Sequence, residues 1–61
     1  METSNELSVH YLRVGGAKAA KEFSTFEQVL RFVVALQHDG LKRIADDAEP
    51  RSGQYSVHTK G

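Results

Sequence analysis

From Leu7 to Val14 the chain reads Leu-Ser-Val-His-Tyr-Leu-Arg-Val, an alternation close enough to period two to predict a half-buried strand. Val9 and Tyr11 fall on one parity, Ser8 and His10 on the other. Gly15-Gly16 follows, and two glycines accept the positive φ angles of a type I′ turn, so a two-residue hairpin loop is expected there. Residues 17 to 23 contain good helix formers and would either open a long helix reaching His38 or pair back as a second strand. Three signals decide for the strand. Ser24-Thr25-Phe26-Glu27 is a capping box, Thr25 to Gln28 repeats it in the adjacent register, and Phe23 stands at the N′ position of the first. Ser24 is the expected cap.

Phe26, Val29, Leu30, Val33, Leu36 and Gln37 then follow the i, i+3, i+4, i+7 spacing of one helix face, and His38-Asp39-Gly40 supplies its end. Phe32 and Val34 flank that face on opposite sides, widening the apolar arc to about 200° where one core asks for little more than 100°. Part of the arc needs a second neighbour. Leu41 to Asp46 predicts a third strand, Asp47 to Gly53 is rich in turn formers around the single proline, and Gln54 to Thr59 alternates with Tyr55 and Val57 facing inward. The last two strands are expected to form a second hairpin. Strand parity and helix period agree on a core of Val9, Tyr11, Phe26, Leu30, Val33, Ile44, Tyr55 and Val57. The fold class is α+β, a ββαββ chain in which two β-hairpins flank one helix that covers a small sheet. Residues 1–6 are polar and without period, a frayed start, and residues 7–61 make one domain.

The order hairpin, helix, hairpin, with Asp46-Asp47-Ala48 leading into a Tyr-x-Val terminal strand at Tyr55-Ser56-Val57, resembles the β-grasp arrangement and its immunoglobulin-binding domains. That resemblance implies first and last strands lying side by side. It does not carry a function, because one fold hosts many. Carrier proteins of this type end on two glycines that become activated, and Lys60-Gly61 offers one.

Sixty-one residues bury a thin core, and with no cysteine there is neither a disulfide nor thiol chemistry to reinforce it. Eight basic residues balance eight acidic ones, so no anionic partner is demanded. No stretch approaches the roughly 20 apolar residues of a membrane span and Met1 to Glu6 carries no basic leader, so a cytoplasmic, non-membrane protein is expected.

Candidate chemistry is sparse. If the first and last strands are neighbours, His10 and His58 meet on the face away from the helix, where two imidazoles without a third ligand make a solvated pair rather than a metal site. Asp46, Asp47 and Glu49 lack EF-hand spacing and read as a solvated turn. Ser, His and Asp occur without a nucleophile elbow or a Gly-rich phosphate loop, so no enzyme, cofactor, metal or small-molecule substrate is expected. Lys18, Lys21, Lys42 and Arg43 would contact nucleic acid only if the second and third strands brought them together, with Arg31, into one stripe. The surplus is apolar. Leu12 and Val14 should emerge on the uncovered side of the sheet and Phe32 and Val34 at the helix edges, making these four the expected contact residues for a protein partner or a homodimer. The function this predicts is a small non-enzymatic binding module, a stoichiometric regulator or inhibitor that docks on a larger protein, of the size of many bacterial or phage-encoded regulators. The alternatives are a small nucleic-acid-binding regulator and a structural subunit of an assembly.

Overall fold

The computed structural model describes residues 6–59. Of the frayed start expected over residues 1–6 only Glu6 is among them, and Lys60-Gly61 lies outside. Strands β1 (Leu7–Leu12) and β2 (Lys18–Phe23) precede helix α1 (Phe26–His38), and β3 (Lys42–Arg43) and β4 (Gln54–Thr59) follow it. The class is α+β and the order is ββαββ, with the four strands in one mixed sheet ordered β2-β1-β4-β3. β1 and β4 are neighbours. Residues 18 to 23 are a strand, paired antiparallel with β1 from Leu7↔Phe23 to Leu12↔Lys18.

Strand directions depart from the expected second hairpin. β1 and β4 run antiparallel, with Val9↔Val57 and Tyr11↔Tyr55 side by side, but β3 runs parallel to β4 with Arg43↔Tyr55. A parallel neighbour needs a crossover, not a turn. The ten residues 44–53 supply it. They continue beside β4 as far as Asp47, whose N–H donates to Val57 O at 3.0 Å, then return to Gln54 across the face of the sheet away from the helix. Ser56 Oγ and His58 Nε2 on that face bond Ala48 O at 2.6 and 3.1 Å. The right-handed rule for parallel connections accounts for this placement: α1 carries the chain from β2 to the far edge on one face, so a connection stepping back toward the centre belongs on the other. Ser8 and Ser56, whose parity suggests exposure, are buried.

The first turn also differs. Gly16 N–H donates to Arg13 O at 2.9 Å, closing a four-residue turn with Gly15 at φ 76°, and β1 stops at Leu12. The loop is five residues long because the left-handed position is third in that turn, the type II requirement, rather than shared by both glycines.

Helix capping uses the second of the two boxes. Thr25, extended at φ −129° and ψ 153°, accepts from Gln28 N–H at 3.3 Å. Gln28 Oε1 in turn accepts from Ser24 N–H at 3.2 Å and lies 3.3 Å from the Ser24 hydroxyl. Ser24 therefore supports the cap without being it. At the other end Gly40, at φ 91°, donates to Gln37 O and Leu41 N–H donates to Leu36 O, at 2.9 and 3.0 Å. This Schellman arrangement presses Leu41 onto Leu36, as its hydrophobic contact requires.

That contact sets the phase of the helix. The buried apolar side chains are Val9, Val29, Val33, Leu36, Leu41, Tyr55 and Val57, with Leu7, Tyr11, Phe23 and Phe32 packed against them. Val9, Val33, Tyr55 and Val57 meet the expectation and Tyr11 is half-buried. Phe26 and Leu30 do not: they are 53% and 48% exposed. Ile44 is half-buried, and the register places it opposite Ser56, on the crossover side rather than under the helix. Leu36→Ala should therefore cost about 2 to 5 kcal/mol in urea denaturation while Leu30→Ala costs about 1 kcal/mol or less, although helix period alone puts both on one face. Thr25→Ala should cost about 1 kcal/mol, and more than Ser24→Ala, in the same measurement.

Candidate functional site

Two surfaces gather the residues capable of recognition. The first is a polar cluster between the sheet and the crossover. β1 and β4 place His10 and His58 on the same face, with ring centroids 3.8 Å apart and 25° between planes. The predicted meeting of these rings is real. Around them the three carboxylates of the crossover reach three different strands: Asp46 pairs with Arg43 of β3 at 3.0 Å, Asp47 lies 3.7 Å from His58 Nδ1 of β4, and Glu49 pairs with Lys18 of β2. Asp47 sits in the left-handed region at φ 63°, which aspartate tolerates, and its carboxylate also accepts from Thr59 N–H at 3.4 Å. The turn is solvated as expected, with all three carboxylates exposed, and it is also a strap tied down by its own acids.

Ser56, His58 and Asp47 have the connectivity of a catalytic triad, with Ser56 Oγ 2.9 Å from His58 Nε2. The hydrogen bonding and burial of the serine give them a different role. Ser56 Oγ donates to Ala48 O at 2.6 Å, shorter than its 2.9 Å approach to Nε2, so the serine proton is directed to the carbonyl rather than to the imidazole. Ser56 is fully buried, so its oxygen cannot reach a substrate. The trio is a structural pin. Nor does the stack suit a metal: imidazole lone pairs lie in the ring planes, and two nearly parallel rings direct them side by side rather than to one point. Among the described residues no group of three His, Cys, Asp or Glu is placed to hold a metal ion.

Burial, then the neighbouring His58 and Lys18, holds His10 below the ordinary histidine value of 6.5. The fold thus favours neutral His10, so the unfolded chain binds the extra proton. Stability from this group is complete above about 6.5 and declines as the pH falls below it, until the lowered folded value is passed. His10→Gln should flatten that decline, measured as the difference in Tm between wild type and variant across the interval.

The second surface is the flank of α1. Phe26, Leu30 and Val34, spaced i, i+4 and i+8, form a row on the side opposite Phe32, and Val34 is 63% exposed. Phe32 is turned the other way, 5.4 Å from Tyr11 and 5.3 Å from Phe23 by ring centroids, so half of it belongs to the core. On the row's side Gln37 Nε2 donates to Tyr55 Oη at 2.7 Å, which places the row above the β4 and β3 side of the sheet. Of the four predicted contact residues, Val34 lies in this row. Leu12 is half-buried on the strapped face, which is not the bare face expected, and Val14 is 81% exposed at the tip of the β1–β2 turn. The four do not form one patch. Phe26 and Leu30 replace Phe32 as neighbours of Val34.

The bases are likewise separated. Lys18 and Lys21 lie on β2 and Lys42 and Arg43 on β3, the two opposite edges of the sheet. Lys21 Nζ stands 5.4 and 5.9 Å from the Phe32 and Phe23 centroids, and Arg31 pairs with Glu27 at 3.2 Å. No stripe converges. No described helix is long and apolar enough to cross a membrane. Comparison of the chain with protein-family models, with curated proteins and with solved structures returns no match.

Proposed function

We propose that the chain is a small non-enzymatic protein-binding module, a stoichiometric regulator or inhibitor, that docks on a larger protein through the exposed flank of α1. The observation that supports this reading is the row Phe26, Leu30 and Val34. These side chains lie in line over about 12 Å of a helix that is fixed at both ends by caps. A helix presented in that way offers evenly spaced apolar anchors to a groove and loses little conformational entropy on binding. Glu27 and Arg31, which neutralise each other beside the row, give the rim no strong charge preference. Nucleic-acid binding is less favoured because its candidate contacts are divided between two sheet edges and several are already paired within the chain.

The test is affinity capture from the native host, with and without nuclease, using wild type, Leu30→Asp and Phe26→Asp. The expected result is a protein recovered in both nuclease conditions by wild type and lost from both variants, whose melting curves stay cooperative. Recovery unaffected by either aspartate, or abolished by nuclease, would remove the helix flank as the docking surface.

A further inference from the structure

The sheet has two edges, and they are unequal. β3 exposes two residues and β2 six, running Lys-Ala-Ala-Lys-Glu-Phe. Proteins commonly guard a long edge with lysines whose side chains obstruct another strand. Both lysines of β2 are drawn away from the edge, Lys21 over the rings of Phe23 and Phe32 on the helix face and Lys18 toward Glu49 of the strap on the other. The middle of the edge is Ala19-Ala20, which puts no bulk in the way of an approaching backbone.

We infer that β2 is a homodimerisation edge, pairing antiparallel with β2 of a second copy to give a continuous eight-stranded sheet with both helices on one face. The register follows from parity and charge. Lys18, Ala20 and Glu22 share one face because they pair with Leu12, His10 and Ser8 of β1, and Ala19, Lys21 and Phe23 share the other. A two-fold axis normal to the sheet brings together only residues of the same face, so it passes through a single residue of β2. Through Lys21 it would set Lys21 against its own copy, and through Glu22 it would do the same with two carboxylates. Through Ala19 it sets Lys18 against Ala20 and brings no opposite charges together. Through Ala20 it sets Ala20 against Ala20, Ala19 against Lys21, and Lys18 of each copy against Glu22 of the other. That register alone sets opposite strand charges against each other and no β2 charge against its own kind, with Lys18 shared between Glu49 of its own strap and Glu22 of the other copy. Backbone hydrogen bonds along the strand supply the affinity and the charge pairs select the alignment.

Charge reversal tests this. Sedimentation equilibrium over a concentration series should show a reversible dimer of wild type. Lys18→Glu and Glu22→Lys should each weaken it by about tenfold or more, since two attractions become two repulsions, and the double reversal should restore it. Amides of β2 should gain hydrogen-exchange protection as concentration rises. Glu22→Lys leaves the Lys18 pair with Glu49 intact, so it carries the test should Lys18→Glu fail to fold. Leu30→Asp, on the opposite side of the molecule, should leave the dimer unchanged. A wild type monomeric across the series, a dimer indifferent to both single reversals, or one abolished by Leu30→Asp would overturn the assignment.

Discussion

The constraint on which the rest of the structure depends is that β3 and β4 run in the same direction. A hairpin there would have left one face of the sheet bare, with no second helix among the described residues to cover it. A parallel pair forces the chain to travel back the length of the strand, and the only open route is the face opposite α1. The crossover becomes the second layer. It buries Ser8 and Ser56, gives the buried hydroxyl and the His58 ring a common acceptor in Ala48 O, and distributes three carboxylates over three strands. Individually, exposed pairs such as Glu49 with Lys18 contribute at most about 1 kcal/mol. Their value lies in fixing where the strap crosses.

Because the strap supplies the polar layer, α1 is left to make the apolar one by itself, and its rotation decides which side chains remain outside. The rotation is set by Leu41. Held against Leu36 by the turn at Gly40, it places Leu36, Val33 and Val29 directly over the sheet and leaves Phe26, Leu30 and Val34 on the flank. Phe32, on the other side, closes over Tyr11 and Phe23 beneath Lys21. The two flanks of one helix thus differ in kind: the Phe32 side is sealed and cation-capped, and the side of Phe26, Leu30 and Val34 is open.

Much of this was legible in the residues. The strand character of residues 18 to 23 followed from the caps at Ser24 and Thr25, the meeting of His10 and His58 from strand parity, and the excess width of the helix arc from its spacing. The error at Phe26 and Leu30 was one of phase, and the sequence held the missing signal: a C′ glycine followed by leucine implies contact between Leu41 and Leu36, which selects Val33 and Val29 over Leu30 and Phe26. The choice between Ser24 and Thr25 turned on a single residue of helix register and had no such signal. The direction of β3 was illegible for a different reason. Asp47 to Gly53 carries turn-forming residues that suit a tight reversal and a winding strap equally, and the hydrogen bonds that separate the two join residues far apart in the chain.

The pairing of Leu7 with Thr59 has a kinetic meaning. The two inner strands of the sheet are the first and last of the described chain, so the centre of the structure closes only when its most distant segments meet. β1, β2 and α1 can associate as they are made, but until residues 54 to 59 arrive the inner edge of β1 stays unpaired, and the strap has no strand to cross. Such a topology has long loops to close before its central contacts form, which slows folding relative to a sheet built from neighbours. During synthesis it leaves a transient strand edge open beside a helix that is already apolar on one flank. The interval before β4 docks is when this chain is most exposed to wrong partners, its own copies included.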